Sequence, residues 1–383
     1  MHYLKVAYGF LCFLILASNV WSMSRWNEAR GVYDDVCYLR QAHLFQRFWL
    51  DGLDTNISRD DDHYLSLKLK AIGFPTWSDT ATAPCHTVMS AAKKLVIQYP
   101  PGTGFVLALF PQGFQVIPLY VLATVVVFGF ALLGISCARS KSSISVAGAF
   151  GGLAIYLMIN PAKASYSVAP TMVICALTGF LTASFFFAKQ RRHRFFLAGF
   201  IGLLIGLAVN FRLPNLLLSS GYFVFFFVSF LVFRKIEIAL QGLFFGATFL
   251  VGMAPTLLAN AINAGSPFST TYGDADVKSP EFSFDTIWNY VADMQFVLLV
   301  LAGGWIVWML RVHRESGIGR VALVVAGNLL VNLVFFMSHP IFTPYYTIPV
   351  AMLSLWSLLF ATLIQPVKAV NDDLVGQESQ VRS

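Results

Sequence analysis

Long apolar runs recur ten times along this sequence and exclude most soluble folds. A helix that crosses a bilayer needs about 20 such residues. Only 12% of the 383 residues are charged, against about 25% in soluble domains. The sequence therefore predicts an all-α polytopic membrane protein with about ten transmembrane helices. The runs lie at about 4–22, 115–138, 143–160, 168–188, 195–211, 213–233, 239–262, 295–310, 320–337 and 344–364.

The connections between these runs divide the chain into four parts. Residues 1–22 form the first transmembrane helix, which we interpret as an uncleaved anchor because its end lacks a good cleavage site. A large extracytoplasmic loop at 23–114 carries interfacial helices. Residues 115–364 form a nine-helix bundle with a second outer loop at 263–294, and residues 365–383 form a polar cytoplasmic tail.

The distribution of charge predicts the orientation of the chain. With the N-terminus inside, the short inner loops hold eleven Lys and Arg residues and the outer connections hold three, as the positive-inside rule requires. Both termini are then cytoplasmic, and the net charge of +7 gives no reason to expect nucleic acid. No carboxylate lies inside a predicted span, which argues against an ion-coupled transporter.

An acidic pair, Asp34 and Asp35, stands at the start of the segment "DDVCYLRQAHLFQRFW". Apolar residues at helical spacing predict an amphipathic helix on the membrane surface, with Arg40 and Gln41 away from its apolar face. One aspartate suffices to cap this helix. The other reading is a catalytic base at the outer membrane surface.

Other polar groups in the outer loops allow two readings each. Arg212 either snorkels to lipid headgroups or binds a phosphate through its planar guanidinium. The run from Asp60 to His63 is either a solvated loop or a site for a divalent cation such as Mg²⁺ or Mn²⁺. His339 and Tyr345 are either structural or binding residues. Cys37 and Cys85 either form a disulfide or remain free thiols.

The segment "QYPPG" ends the first outer loop. Pro100 lacks an N–H group and disfavours helical geometry at Tyr99. The pattern predicts a stiff return of the chain to the membrane, with Tyr99 as a candidate binding residue.

Taken in order, these features resemble the GT-C superfamily of membrane glycosyltransferases, above all the bacterial lipid A aminoarabinose and galacturonic acid transferases and the protein O-mannosyltransferases. The likeness covers nearly the whole chain. It rests on "YDDVCYLRQAHLF", "QYPPGTGFVLALF", "FRLPNLLL", "PTLLANAINAGSPFSTTY" and "YYTIPVAMLSLW". Tyr345 stands where many relatives carry an arginine, and His339 is the nearest substitute for that cation.

The resemblance implies a GT-C-like fold and an inverting transfer from a polyprenyl-phosphate sugar to a lipid, glycan or protein acceptor. Asp34 or Asp35 would be the base, with Asp34 favoured as the first of the pair. Arg212 would bind the donor phosphate, and Tyr99, His339 and Tyr345 would line the substrate site. The resemblance leaves a divalent cation open and implies a bacterial inner membrane with a periplasmic active site.

Two other classes of function remain open from the sequence. A flippase or transporter for lipid-linked sugars would explain ten spans and Arg212, but not a ninety-residue outer loop with an acidic pair. A polysaccharide polymerase would be expected to hold Arg and His residues in a later outer loop, and 263–294 contains neither.

Overall fold

The computed structural model describes residues 1–26, 35–79, 82–90, 92–159, 165–272, 279–313, 316–339 and 342–364. Asp34 and the predicted tail at 365–383 lie outside the described residues. Described residues form fourteen α-helices and one hairpin. They are α1 His2–Ser24, α2 Asp35–Phe48, α3 Tyr64–Ala71, β1 His86–Met89, β2 Lys94–Ile97, α4 Gly102–Ala108, α5 Val116–Cys137, α6 Lys141–Tyr156, α7 Val168–Phe187, α8 Arg191–Val209, α9 Ser220–Phe233, α10 Ile236–Ala264, α11 Phe284–Ala292, α12 Phe296–Val312, α13 Gly317–Ser338 and α14 Ile348–Ile364.

The prediction of an all-helical membrane protein is confirmed at this level. Each of the ten apolar runs contains a helix, and seven helices are long and apolar enough to cross a membrane. An eighth span is obtained if α11 and α12, which meet at a bend of 86°, count as one. The helices α6 and α14 are shorter, with 16 and 17 residues. The count of ten spans therefore goes beyond what helix length and composition establish.

α14 lies at the centre of the bundle. All but two of its residues are buried, and Trp356 is fully buried against the rings of Phe150 and Phe360. A side chain at Gly179 on α7 would overlap Trp356, so a small residue allows α7 to pack closely on α14. Protein rather than lipid surrounds α14, and the 3₁₀ turn Pro344–Tyr346 precedes it.

The first loop folds into a small layer above the helices. It contains α2, two 3₁₀ turns at Trp49–Leu53 and Ile57–Arg59, α3, the antiparallel hairpin β1–β2 and α4. In the hairpin His86 is opposite Ile97 and Met89 is opposite Lys94. This hairpin was not expected from the sequence.

The position of α2 on the membrane surface stays a prediction, but the expectation that Arg40 and Gln41 lie on its polar face is wrong. Both side chains are buried, with 0% and 2% exposure. Polar residues could be buried there because the rest of the loop supplies their partners, and helical periodicity carries no information on such partners.

Candidate functional site

Asp35 begins α2 and is buried, with 1% exposure. Its Oδ1 accepts a hydrogen bond of 3.1 Å from the backbone N–H of Tyr166, 131 residues away in the chain. This oxygen therefore joins two distant segments and does not simply cap its own helix. The favoured partner of the pair, Asp34, lies outside the described residues, so the structure places one of the two aspartates.

Arg212 follows α8 and caps the 3₁₀ turn Leu213–Ser219. It is buried, with 6% exposure. Its Nη1 donates to the carbonyl of Tyr345 at 3.4 Å, and its guanidinium lies 4.9 Å and 4.8 Å from the ring centres of Tyr345 and Tyr346. Snorkelling to headgroups is thus wrong for Arg212, which is enclosed by aromatic side chains.

No carboxylate among the described residues forms an ion pair with Arg212. Aromatic faces attract a guanidinium, but they do not neutralise it. A buried charge is costly unless an opposite charge or several hydrogen bonds compensate it. Among the described residues, Arg212 is therefore a buried cation that no carboxylate neutralises.

The tyrosine cluster joins Asp35 to Arg212. We define it as Tyr38, Tyr99, Tyr272, Tyr345 and Tyr346. Tyr38 stacks on Tyr99 at 4.9 Å, and Tyr99 lies 6.4 Å from Tyr272. Tyr345 lies 5.7 Å from Tyr346 between ring centres, and its phenol interacts electrostatically with those of Tyr38 and Tyr272. The predicted binding residues Tyr99 and Tyr345 therefore belong to one cluster, whereas Tyr38, Tyr272 and Tyr346 were not predicted as site residues.

Both charges act on the same phenol groups. Burial raises the pKa of Tyr38 to about 12, hydrogen bonding to Ser167 and the positive charge of Arg212 oppose this rise, and Asp35 adds to it. Burial also raises the pKa of Tyr345, with Arg212 lowering it and Asp35 raising it. The phenols stay protonated at neutral pH and can donate hydrogen bonds to an anion.

The segment "YPPGTG" fixes the distance between α2 and Arg212. Gly102 N–H donates to the carbonyl of Asn210 at 2.7 Å, and Thr103 Oγ1 donates to the carbonyl of Phe211 at 3.3 Å. A methyl group on Gly102 would overlap Asn210, and one on Gly104 would overlap Gln41. The glycines thus allow one short helix to touch both α2 and the turn before Arg212.

Asn210 also connects this turn to α10. Its Nδ2 donates to the carbonyl of Gly252 at 2.7 Å, and its Oδ1 accepts from the N–H of Thr256 at 2.9 Å. In a regular helix these two backbone groups bond each other, but Pro255 lies between them. The asparagine side chain bridges this break, so three elements hold the residue two positions before Arg212.

His339 ends α13, and its ring stacks on that of Phe335 at 5.7 Å. This contact lies within one turn of the same helix. The described contacts therefore lend no support to His339 as a replacement for the family arginine, whereas the backbone carbonyl and ring of Tyr345 touch Arg212 directly.

The acidic run at Asp60–Asp62 does not converge on one point. Asp60 lies 3.6 Å from Arg40, Asp61 lies 2.7 Å from Arg47, and Asp62 lies 2.6 Å from His43. Arg47 also lies 3.1 Å from Asp62, so Asp61 and Asp62 share it. All three carboxylates thus have cationic or imidazole partners, and the run is neither a plain solvated loop nor a set of ligands gathered around one ion.

A disulfide joins Cys37 of α2 to Cys85 before β1, with their Cα atoms 6.5 Å apart. In the described part of the chain, these cysteines and His86 are the one group of three side chains close enough to share a metal ion. The disulfide removes both thiolates. Both nitrogens of His86 are also occupied, by the carbonyl of Pro84 and by Arg40 Nη1, each at 2.8 Å.

Arg40 joins α2 to the rest of the first loop through hydrogen bonds. It donates to the carbonyls of Thr55 and Asn56 at 3.0 Å each and contacts His86. Burial lowers the pKa of Arg40 to about 10, and Asp60 opposes the shift. Burial, followed by the charge of Arg40, lowers the pKa of His86 to about 3. His86 is therefore a neutral acceptor for Arg40 at neutral pH.

This geometry predicts acid sensitivity of the first loop. The pKa of His86 in the folded protein lies below its ordinary value of about 6.5. Between pH 6.5 and 3 the unfolded chain therefore binds more protons than the folded protein, so the free energy of unfolding decreases as the pH is lowered through this window. Lowering the pH from 7 to 5 should reduce the thermal midpoint by a few degrees. Thermal melts of His86→Gln should show a clearly smaller drop, and an equal drop in both proteins would contradict this role for His86.

A cavity of about 370 Å³ is lined by Trp26, Lys68 and residues 113–117. Trp26 packs edge-on against Tyr166 at 5.7 Å between ring centres, and Tyr166 is the residue that donates to Asp35. Gln115 is buried, with 2% exposure, and neither its amide nitrogen nor its oxygen has a hydrogen-bond partner among the described residues. Asp35 and Arg212 themselves do not line this cavity.

Comparison of the chain with protein-family models, with curated proteins and with solved structures gave no match.

Proposed function

We propose that this protein is an inverting membrane glycosyltransferase of the GT-C type. It would move a sugar from a polyprenyl-phosphate donor to a lipid, glycan or protein acceptor. The observation that carries the proposal is Arg212, a buried cation that lies over two tyrosine rings, pairs with no described carboxylate and shares its tyrosine neighbours with Asp35. One acidic and one cationic group around a shared set of phenols is what the transfer requires.

The chemistry assigns one task to each charge. The acceptor hydroxyl loses its proton to a carboxylate as its oxygen attacks the anomeric carbon. The bond from that carbon to the phosphate oxygen breaks, and the phosphate leaves with the electron pair. A fixed guanidinium stabilises this developing charge, and a guanidinium suits phosphate geometry. Inversion needs no second, nucleophilic carboxylate.

Asp35 is our candidate base, with Asp34 as its partner in the pair. Burial beside Tyr166 and shared electrostatic neighbours with Arg212 support Asp35. Tyr38, whose phenol stays protonated, would donate a hydrogen bond to the phosphate or to the acceptor. Tyr99 would hold Tyr38 in place through their stacked rings.

The cavity beside Trp26 would receive the acceptor. A saccharide presents hydroxyl groups to an amide and ring faces to an aromatic side chain, and Gln115 and Trp26 offer both. A buried amide without hydrogen-bond partners lowers the stability of the folded protein. Two hydroxyl groups of a bound saccharide would provide partners for the amide nitrogen and oxygen of Gln115.

A substitution at Gln115 separates binding from folding. We expect Gln115→Leu to leave the thermal midpoint of the free protein unchanged or higher, because it removes a buried polar group. We expect the KM for acceptor to rise about tenfold, since one lost hydrogen-bonding group is worth about 1–3 kcal/mol.

Gln46→Leu is the matched control. Gln46 donates to the carbonyls of Ala108 and Phe110 at 3.1 Å and 2.8 Å. This control should lower the midpoint and leave the KM unchanged. A lower midpoint with an unchanged KM in Gln115→Leu would show that Gln115 is structural.

The proposal includes ten spans, with α6, α12 and α14 added to the seven longer ones, and both termini inside. It places Asp35 and Arg212 on the outer side, which would be the periplasmic side of a bacterial inner membrane. The absence of carboxylates in most spans supports an enzyme over an ion-coupled transporter.

Mass spectrometry of surface glycolipids and glycans tests the function. A strain without the gene should lack one sugar residue on one product, and complementation should restore it. Accumulation of an unflipped lipid-linked precursor would instead identify a transporter, and loss of whole chains would identify a polymerase.

A further inference from the structure

A second, larger cavity lies at the other end of the bundle. Its volume is about 890 Å³. Its walls are mostly aromatic and aliphatic side chains from α7, α9 and α13, and its polar residues gather near the starts of α8, α10 and α13. The apolar walls include Phe185, Phe186, Val224, Phe225, Val228 and Leu323.

The polar end of this cavity is positively charged. Arg194, Lys235 and Arg320 line it, and Glu237 is the one carboxylate among the lining residues. Glu237 lies 3.5 Å from Arg194 Nη2 and 3.5 Å from Arg191 Nε, so it is shared between two arginines. Nε of Arg194 is buried and has no hydrogen-bond partner among the described residues. Among the described lining residues, three cationic side chains therefore face one carboxylate.

Helix dipoles add to this positive field. Arg194 and Arg320 lie in the first turns of α8 and α13. Basic side chains at that end oppose the helix macrodipole, which favours anions there. Helix stability thus does not explain these residues, and a bound anion would relieve both the side chains and the exposed helix N–H groups.

The apolar part of the cavity extends to the crossing of α9 and α13. Gly221 and Gly327 line it where α9 crosses α13, and a methyl group at Gly221 would overlap the carbonyl of Val324. Asn328 Oδ1 accepts from the N–H of Gly221 at 2.6 Å and fixes the crossing. From Gly221 to Lys235 the groove runs about 20 Å at about 1.5 Å per residue, which exceeds half of the roughly 30 Å hydrocarbon core.

The cationic end lies far from Arg212. Arg194 is in the first turn of α8, and Arg212 lies three residues beyond its last residue, Val209. The helix from Arg194 to Val209 is about 23 Å long, and a hydrocarbon core is roughly 30 Å thick. The two cationic sites therefore lie near opposite ends of this helix.

We propose that this cavity is a binding site for an anionic phospholipid of the leaflet opposite to Arg212. The headgroup phosphate contacts Arg194, Lys235 and Arg320, and one acyl chain fills the groove up to the crossing of Gly221 and Gly327. The groove length of about 20 Å suits an acyl chain better than a long polyprenyl chain, which would exceed it.

Native mass spectrometry of the full-length protein tests this site. We expect about tenfold more bound phosphatidylglycerol than phosphatidylcholine of the same acyl chains. Lys235→Gln and Arg320→Gln should each remove most of this preference. Arg192→Gln, which makes the same change of charge outside the cavity, should keep it.

Filling the groove provides an independent variant with all charges intact. Ser229 lines the cavity, whereas Leu231 does not. Ser229→Phe should lose phosphatidylglycerol and Leu231→Phe should retain it, both with wild-type thermal midpoints. Any of three results would overturn the proposal. The wild type could bind phosphatidylglycerol and phosphatidylcholine equally, Ser229→Phe could bind phosphatidylglycerol fully, or Lys235→Gln and Arg320→Gln could both keep the preference for phosphatidylglycerol. Tighter binding of a polyprenyl phosphate, lost in Arg320→Gln, would overturn the phospholipid assignment.

Discussion

Asp35→Asn should abolish sugar transfer while leaving the protein folded. Asparagine keeps an oxygen that can accept the N–H of Tyr166, so the link between α2 and the segment before α7 survives. It cannot take up the acceptor proton, and loss of a general base typically costs 10²–10⁴-fold in rate. The measurement is the initial rate of transfer by purified protein, together with its thermal midpoint.

Asp61→Asn is the matched control for this experiment. Its carboxylate is 64% exposed and pairs with Arg47 at the surface, where ion pairs contribute little. It should keep near wild-type activity. Asp34→Asn should be measured beside it, because full activity in Asp35→Asn with a dead Asp34→Asn would assign the base to Asp34. Activity in both variants would refute the proposed chemistry.

Arg212→Gln should lose about 10²–10³-fold in kcat, the usual cost of removing a group that stabilises charge in the transition state. Arg212→Lys should recover part of this loss, because it retains the charge but not the planar, bidentate geometry. Arg212→Met should not strongly destabilise the free protein. The buried guanidinium pairs with no described carboxylate, so its removal leaves no described buried charge without a partner.

Arg47→Gln supplies the control for Arg212. Arg47 is a cation of the same loop layer, is paired with Asp61, and lies outside the tyrosine cluster. It should not change kcat. A collapse of the thermal midpoint in Arg212→Met, with no activity lost in a folded Arg212→Gln, would make Arg212 a structural residue.

The sequence anticipated features that depend on neighbours in the chain. Apolar runs predicted where helices form, because burial in a bilayer or bundle follows local composition. Residue types at the start of α2 predicted a helix beginning at the acidic pair. The prolines of "YPPG" predicted a stiff return, and that part of the chain does start a short helix, α4.

Features that depend on distant segments were not predictable in this way. Arg40 looked like a solvent-facing residue, and its burial depends on carbonyls 15 and 16 residues away and on His86. Gly102 gave no sign in the sequence of its contact with Asn210, over a hundred residues on. Tyr38 and Tyr272 gave no signal, because a tyrosine reveals its role only through its partners.

Binding of a polyprenyl phosphate, with the C55 compound as the probe, tests the central claim most directly, because the proposed transfer releases a polyprenyl phosphate whatever the sugar and acceptor. Native mass spectrometry should show that the wild type and Arg320→Gln bind the phosphate in clear preference to the neutral polyprenol. Arg212→Gln should bind both equally. Equal binding of the polyprenyl phosphate and the polyprenol by the wild type would contradict a phosphate site at Arg212. So would a preference for the phosphate that persists in Arg212→Gln.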